Sequence, residues 1–154
     1  MRNKLLLAVI ASAASVAAVA GPIEDQIRFR QSTFTFIAWN CAKIKSQTID
    51  HPETFNKDQV SAAAHAVAAA ANSGLGGLFG PGTDKGTGWK PTRLKSEFFQ
   101  QTDDAKNVGV AFITEANALA AAADTGNIDA IKAQFAKTGE ACKGCHDKFR
   151  AKEQ

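Results

Sequence analysis

The sequence predicts an all-α protein built as an antiparallel four-helix bundle. Two observations carry this: four stretches repeat apolar residues at steps of three and four, and no segment sustains the alternation of a strand. A third qualifies it. The chain is rich in alanine and short of large aliphatic residues for its size, so an ordinary leucine and phenylalanine core does not account for its interior.

The first 20 residues stand apart from the bundle. Met1-Arg2-Asn3-Lys4 is a basic start, Leu5 to Ala20 is apolar, and Ala18-Val19-Ala20 is a small-x-small end. That is the layout of a secretory signal peptide, expected to be cleaved after Ala20. The apolar run is short of the ~20 residues a membrane span needs, so no membrane association is expected after cleavage. Residues 21–154 form one domain large enough to enclose a core. Loss of Arg2 and Lys4 takes the formal charge from +3 to +1, which leaves no basic excess to favour nucleic acid. Export predicts a periplasmic location, where cysteines tend to pair, and three of them leave one over.

The first helix is expected over Ile23 to Gln47, with Ile23, Ile27, Phe34, Ile37, Cys41 and Ile44 on one stripe. The gap in that stripe falls on Arg30, which places a charge on the core-facing side. His51-Pro52 ends or follows the helix. A second helix begins near Asn56 or Asp58 and runs through VSAAAHAVAAAAN. Alanine favours helix and lets bulky groups approach the backbone. Ser73 to Pro91 holds seven of the twelve glycines and reads as a loop, unusually long unless it has a task. A third helix is expected from about Thr92, with Leu94, Phe98, Ala105, Val108, Phe112 and Leu119 at helical spacing and Gly126 closing it. Asn127 caps the fourth. Its stripe is Ile128, Ile131, Phe135, Thr138, Cys142, Cys145 and Phe149.

Near the end of that fourth helix, Cys142-Lys143-Gly144-Cys145-His146 spells C-x-x-C-H, the attachment signature of a c-type haem. On a helix these residues stand at i, i+3 and i+4 and share a face. Two thiols can then take the two vinyl groups of one porphyrin edge, and the imidazole beside them reaches the iron as metal ligand. Three other uses fit less well. A structural zinc site wants four ligands, and Cys41, His51 and His65 lie far upstream. A thioredoxin-type pair wants a strand before its helix. A disulfide across three helical residues is geometrically awkward. With Cys142 and Cys145 bound to haem, Cys41 remains as a buried, inert thiol or, less favourably, a site of intermolecular pairing.

The opposite face of the iron decides the class of protein. Electron-transfer cytochromes c commonly add a methionine ligand, but the only methionine is Met1, in the signal segment. His51 lies at a helix end, and His65 sits one position off the stripe of its helix. An iron held by one protein ligand is the favoured reading, five-coordinate and high-spin, able to take a small gas. Arg30, buried, needs an anion such as a haem propionate, or else pairs at the rim with Glu24 or Asp25. Phe34, four residues on, points over the haem or simply packs in the core.

RFRQSTFTF on the first helix, FGPGT in the loop and CKGCHDKFR at the C-terminus resemble segments of the cytochrome c′ family across essentially the whole of residues 21–154. The resemblance implies a four-helix bundle, usually a homodimer, with high-spin haem c bound by histidine alone. It implies that Arg30 and Gln31 lie near the propionates and that Thr87 touches the haem edge. Phe34 stands where members often carry leucine. Arg150 matches a basic residue on the proximal side that hydrogen-bonds a ligand there; it is otherwise a solvated charge favourable to the helix dipole. The function expected is a carrier that binds NO or CO and passes single electrons, with redox partner proteins unspecified. The competing reading is a low-spin shuttle with His65 or another side chain as sixth ligand. An enzyme is disfavoured, because the stripe offers Phe34, Ile37 and alanines where a polar acid–base group would stand.

Overall fold

Helix α1 (Ile23–Lys45) opens the chain in the computed structural model, which describes residues 22–152; the predicted signal peptide lies outside them. Glu24 and Asp25 sit in its first turn and Lys43 and Lys45 in its last, each sign placed where the helix dipole favours it. The helix does not stop at Gln47. It widens into a π-helical turn, Ser46–Asp50, whose Thr48 is buried and bonds the Ile44 carbonyl at 2.7 Å. A short 3₁₀ turn, Pro52–Thr54, then leads to α2 (Lys57–Asn72). Asn56 caps α2 by accepting a bond from the Gln59 N–H at 3.0 Å.

The third predicted helix is corrected at its start. It does not run from Thr92: a single turn, α3 (Glu97–Gln100), precedes the long α4 (Thr102–Thr125). Residues 92–96 are instead strapped along the end of α5 (Ile128–Phe149). The Lys95 N–H donates to the Phe149 carbonyl at 2.9 Å, and the Ala151 N–H donates to the Arg93 carbonyl at 2.8 Å. Lys95 Nζ also reaches the Asp147 and Lys148 carbonyls. A helix leaves its last carbonyls without partners, and this segment satisfies them. Phe98 stacks on Phe79 with ring centroids 4.9 Å apart and meets Phe149 edge-on at 5.3 Å, which fixes the turn that follows.

Gly126 closes α4 in the left-handed region at φ 72°, as a C-terminal glycine does. Asn127 caps α5 through the Ala130 N–H at 3.0 Å. Helix α1 packs on α2, α2 on α4 and α4 on α5, giving the four long helices of the bundle. Their apolar stripes make a core of two halves. Around Ile44, Val60, Leu119 and Ile131 every one of these side chains is fully buried; each such burial contributes roughly 1.5–3 kcal/mol. Around Ile37, Val67, Ala71 and Ala116 the core is thinner, and the larger Phe34, Cys41, Phe79, Phe112 and Ile113 packed on it are only half-buried. No helix among the described residues is long and apolar enough to cross a membrane.

Candidate functional site

The thin half of the core is the end at which α5 presents its thiols. Helix α5 runs unbroken through the motif, so Cys142, Cys145 and His146 do share a face. Lys143 and Asp147 pair with each other on the turn between them. Both thiols are half-buried. Burial pushes each pKa up, and Cys142 adds to the shift of Cys145, so both are neutral thiols at physiological pH. Cys41 lies within electrostatic reach of Cys142; burial first, then that neighbour, raises it to about 11. Cys41 is half-buried. His146 is exposed as a residue. Partial desolvation of its ring, followed by the charges of Arg150 and Arg93, still holds its pKa below the ordinary histidine value. The result is a neutral imidazole, the form that ligates iron.

Phe34, on α1, is half-buried against the group of Ile37 and Val67 on which Phe112 and Ile113 also pack, and it stands edge-on to Phe79 at 6.3 Å. The wall is apolar and partly open, which suits a flat apolar group of large face area. Two neutral thiols, a neutral imidazole and this wall are a donor set and a surface that fit haem c.

Arg30 and Gln31 have other work. Arg30 is 5% exposed, and its Nη atoms donate to the Leu78 carbonyl at 3.0 Å, Thr83 Oγ1 at 2.9 Å, the Thr83 carbonyl at 2.9 Å and Thr92 Oγ1 at 2.9 Å. Its guanidinium also lies over the Phe79 ring, 4.7 Å from the centroid. Burial lowers its pKa to about 10, so it stays cationic at neutral pH. The anion anticipated for it is therefore not required: carbonyl and hydroxyl oxygens take its four Nη bonds, and Nε alone has no part in them. The rim alternative, pairing with Glu24 or Asp25, is also corrected: Arg30 is buried and bonded to Leu78, Thr83 and Thr92, and Asp25 pairs with Arg28 at 2.8 Å. Gln31 accepts from the Trp89 N–H at 2.7 Å and donates to the Lys90 carbonyl at 2.8 Å. Both residues clamp the glycine-rich loop to α1. Thr87 is exposed and bridges to Pro91; it makes none of the bonds to Arg30. Thr83, Thr92 and the Leu78 carbonyl make them, and the sequence pointed to none of these as partners of Arg30. A buried arginine on a helix facing a threonine-bearing loop was the signal available for them.

His65 is placed outside this group. Its Nε2 lies 2.9 Å from Asp124 Oδ1, its side chain is 57% exposed, and Ser61 shares the same carboxylate at 2.6 Å. It ties α2 to α4 on the outside of the bundle, which removes the support for His65 as a sixth ligand. His51 is likewise exposed, 3.4 Å from Glu53. Arg150 pairs its backbone with Leu94 and, with Arg93, Lys95, His146, Asp147, Ala151 and Lys152, lines a groove of about 320 Å³ at the end of α5.

The family model described as "Cytochrome C'" matches residues 25–150. The chain belongs to the cytochrome c′ family. It is 45% identical to cytochrome c′ of Allochromatium vinosum over 96% of this chain and 93% of that one. It is 48% identical to cytochrome c′ of Rhodocyclus tenuis over 84% and 96%. Among solved structures, cytochrome c′ of Thermochromatium tepidum superposes with a TM-score of 0.80 at 50% identity, covering 86% of this chain and 99% of that one. Another, at 46% identity and a TM-score of 0.79, is described as having a ligand-controlled dimer dissociation. More distant structures from Alcaligenes xylosoxidans, at 26% and 27% identity, were solved with NO and with CO bound. As a cytochrome c′, the chain has covalently held haem c as its cofactor, and its bundle is the architecture of its structural neighbours.

Proposed function

We propose that this cytochrome c′ is an exported, periplasmic carrier that binds NO and CO and passes single electrons. Cys142 and Cys145 hold the haem, His146 is the single protein ligand of its iron, and Phe34 crowds the opposite side. One observation carries the reading. The two thiols and the imidazole stand together on one face of α5, while the apolar group around Phe34 contains neither of the other two histidines, His51 and His65. When bound, the haem supplies a one-electron iron centre and a coordination position for a diatomic gas. The chain's own part is to fix the iron from one side, keep the far side apolar, and exclude larger ligands by the bulk of Phe34.

Arg30 reaches a propionate through Nε, because its Nη bonds serve the loop. Arg150 and the exposed Thr87 stand at the periphery, where Arg150 offers a donor beside His146. The chain forms a homodimer through the outward face of α1. There Phe36 and Trp39 stand 47% and 58% exposed, and with Trp89, Ser32 and Thr35 they line an open groove of about 490 Å³. A second copy of the same stripe would cover it symmetrically, and a dimer is on record for one structural neighbour.

Mass spectrometry of the secreted protein tests the attachment. The expected species is residues 21–154 plus one haem, and Cys142→Ser should leave haem held by one thioether or lost on acid extraction. A secreted wild-type chain without added haem would contradict the proposal.

A further inference from the structure

The end of the bundle that carries His146 gathers positive charge in one place. Among the described residues, Arg93, Lys95, Arg150 and Lys152 line the groove beside it, with Asp147 as the one carboxylate among them, and that carboxylate is already paired to Lys143. The described lining therefore sums to +3, four cations against one carboxylate. Residues 21–154 as a whole carry only +1, so everything outside the groove is net negative. The asymmetry is built into the backbone and not left to a loose tail. Residues 93–95 are strapped to the last turn of α5, and Ala151 is bonded to the Arg93 carbonyl. Lys95 alone would satisfy the helix end through the Asp147 and Lys148 carbonyls. Arg150 and Lys152 add positive charge at the same end.

We infer that this groove is the docking surface for an acidic electron-transfer protein. The inference rests on the proposed haem ligation by His146, which lines the same groove and puts the docked partner next to the redox centre. A carboxylate-rich face would be steered here from solution, and the net negative remainder of the surface would turn it from other approaches. One electron passes between the haem iron and the partner's redox centre, with no atom transferred.

The test uses the secreted holoprotein, the variant Lys95→Gln/Lys152→Glu, and a control of equal charge change at the opposite end, Lys57→Glu/Lys132→Gln. Two readouts are taken at low and at high salt: binding of a polyglutamate peptide, and the rate at which hexacyanoferrate(III) oxidises the reduced protein. In the groove variant both should fall about tenfold at low salt, within the range that steering by local charge supports. The control should stay within about twofold of wild type, and the differences should vanish at high salt as screening removes them. Equal losses in both variants would reduce the effect to net charge and overturn the inference. No loss in the groove variant would overturn it too. Binding to vesicles of anionic phospholipid but not to polyglutamate would assign the groove to a membrane surface instead. A protein lacking the haem absorption band would refute the haem reading alone, since peptide binding reports on the groove without it.

Discussion

Phe34 is where a single side chain has most influence on the chemistry. It is half-buried, belongs to the same apolar group as Phe112 and Ile113, and touches Phe79 edge-on. If it gates ligand entry, Phe34→Ala should speed CO association with the reduced protein about tenfold, the effect of removing about 1.4 kcal/mol of barrier. Stopped-flow measurement that finds an unchanged rate would show that Phe34 only packs. The C-x-x-C-H motif was fully legible in the sequence, because five consecutive residues carry its geometry once a helix is granted. The partners of Arg30 were not. Its place on the inward stripe announced a buried charge, but the oxygens that receive it come from Leu78, Thr83 and Thr92, some 50 to 60 residues away. Helical spacing says nothing about contacts at that separation.

Among the elements, the glycine-rich loop is the part whose order depends on α1. Gly88 shows how closely it lies: a Cβ there would meet the Arg28 backbone nitrogen at 2.7 Å, an atom that cannot yield. Thr83 is fully buried and joins the loop to Arg30 through both its hydroxyl and its carbonyl. Thr83→Val keeps the shape and removes the hydroxyl, leaving one Arg30 N–H without its acceptor at a cost of about 1–3 kcal/mol. The expected result is a melting temperature lower by roughly 4 °C or more, with faster amide exchange across residues 79–92. Unchanged stability and exchange would mean the loop is held by other contacts. The helices themselves were readable from period and caps: Asn56, Gly126 and Asn127 do at the termini what their types foretell. The start of the third helix was not readable. Leu94 and Phe98 are four apart by coincidence of two different structures, an extended strap and a single helical turn. The strap exists because the end of α5 offers it carbonyls, a tertiary cause invisible to local periodicity.

At the scale of the whole molecule, the proposed function assigns two tasks to the two faces of α1. Its inward stripe, with Phe34 and Ile37, borders the candidate haem site, while Phe36 and Trp39 face outward. Trp39→Glu should convert the proposed dimer to monomer at micromolar concentration in sedimentation velocity, because a charge would lie at the centre of the proposed symmetric contact. A dimer that persists would move the interface elsewhere. The fold class was legible because four stripes at a common period permit few arrangements. That the core is thin at one end was foreshadowed by the alanines of α2 and by the scarcity of large aliphatics. The most direct measurement is the absorption spectrum of the reduced, secreted protein with and without CO. The expected result is a high-spin spectrum that CO converts to a low-spin one. A six-coordinate, low-spin spectrum at neutral pH that CO leaves unchanged would contradict an iron held by His146 alone.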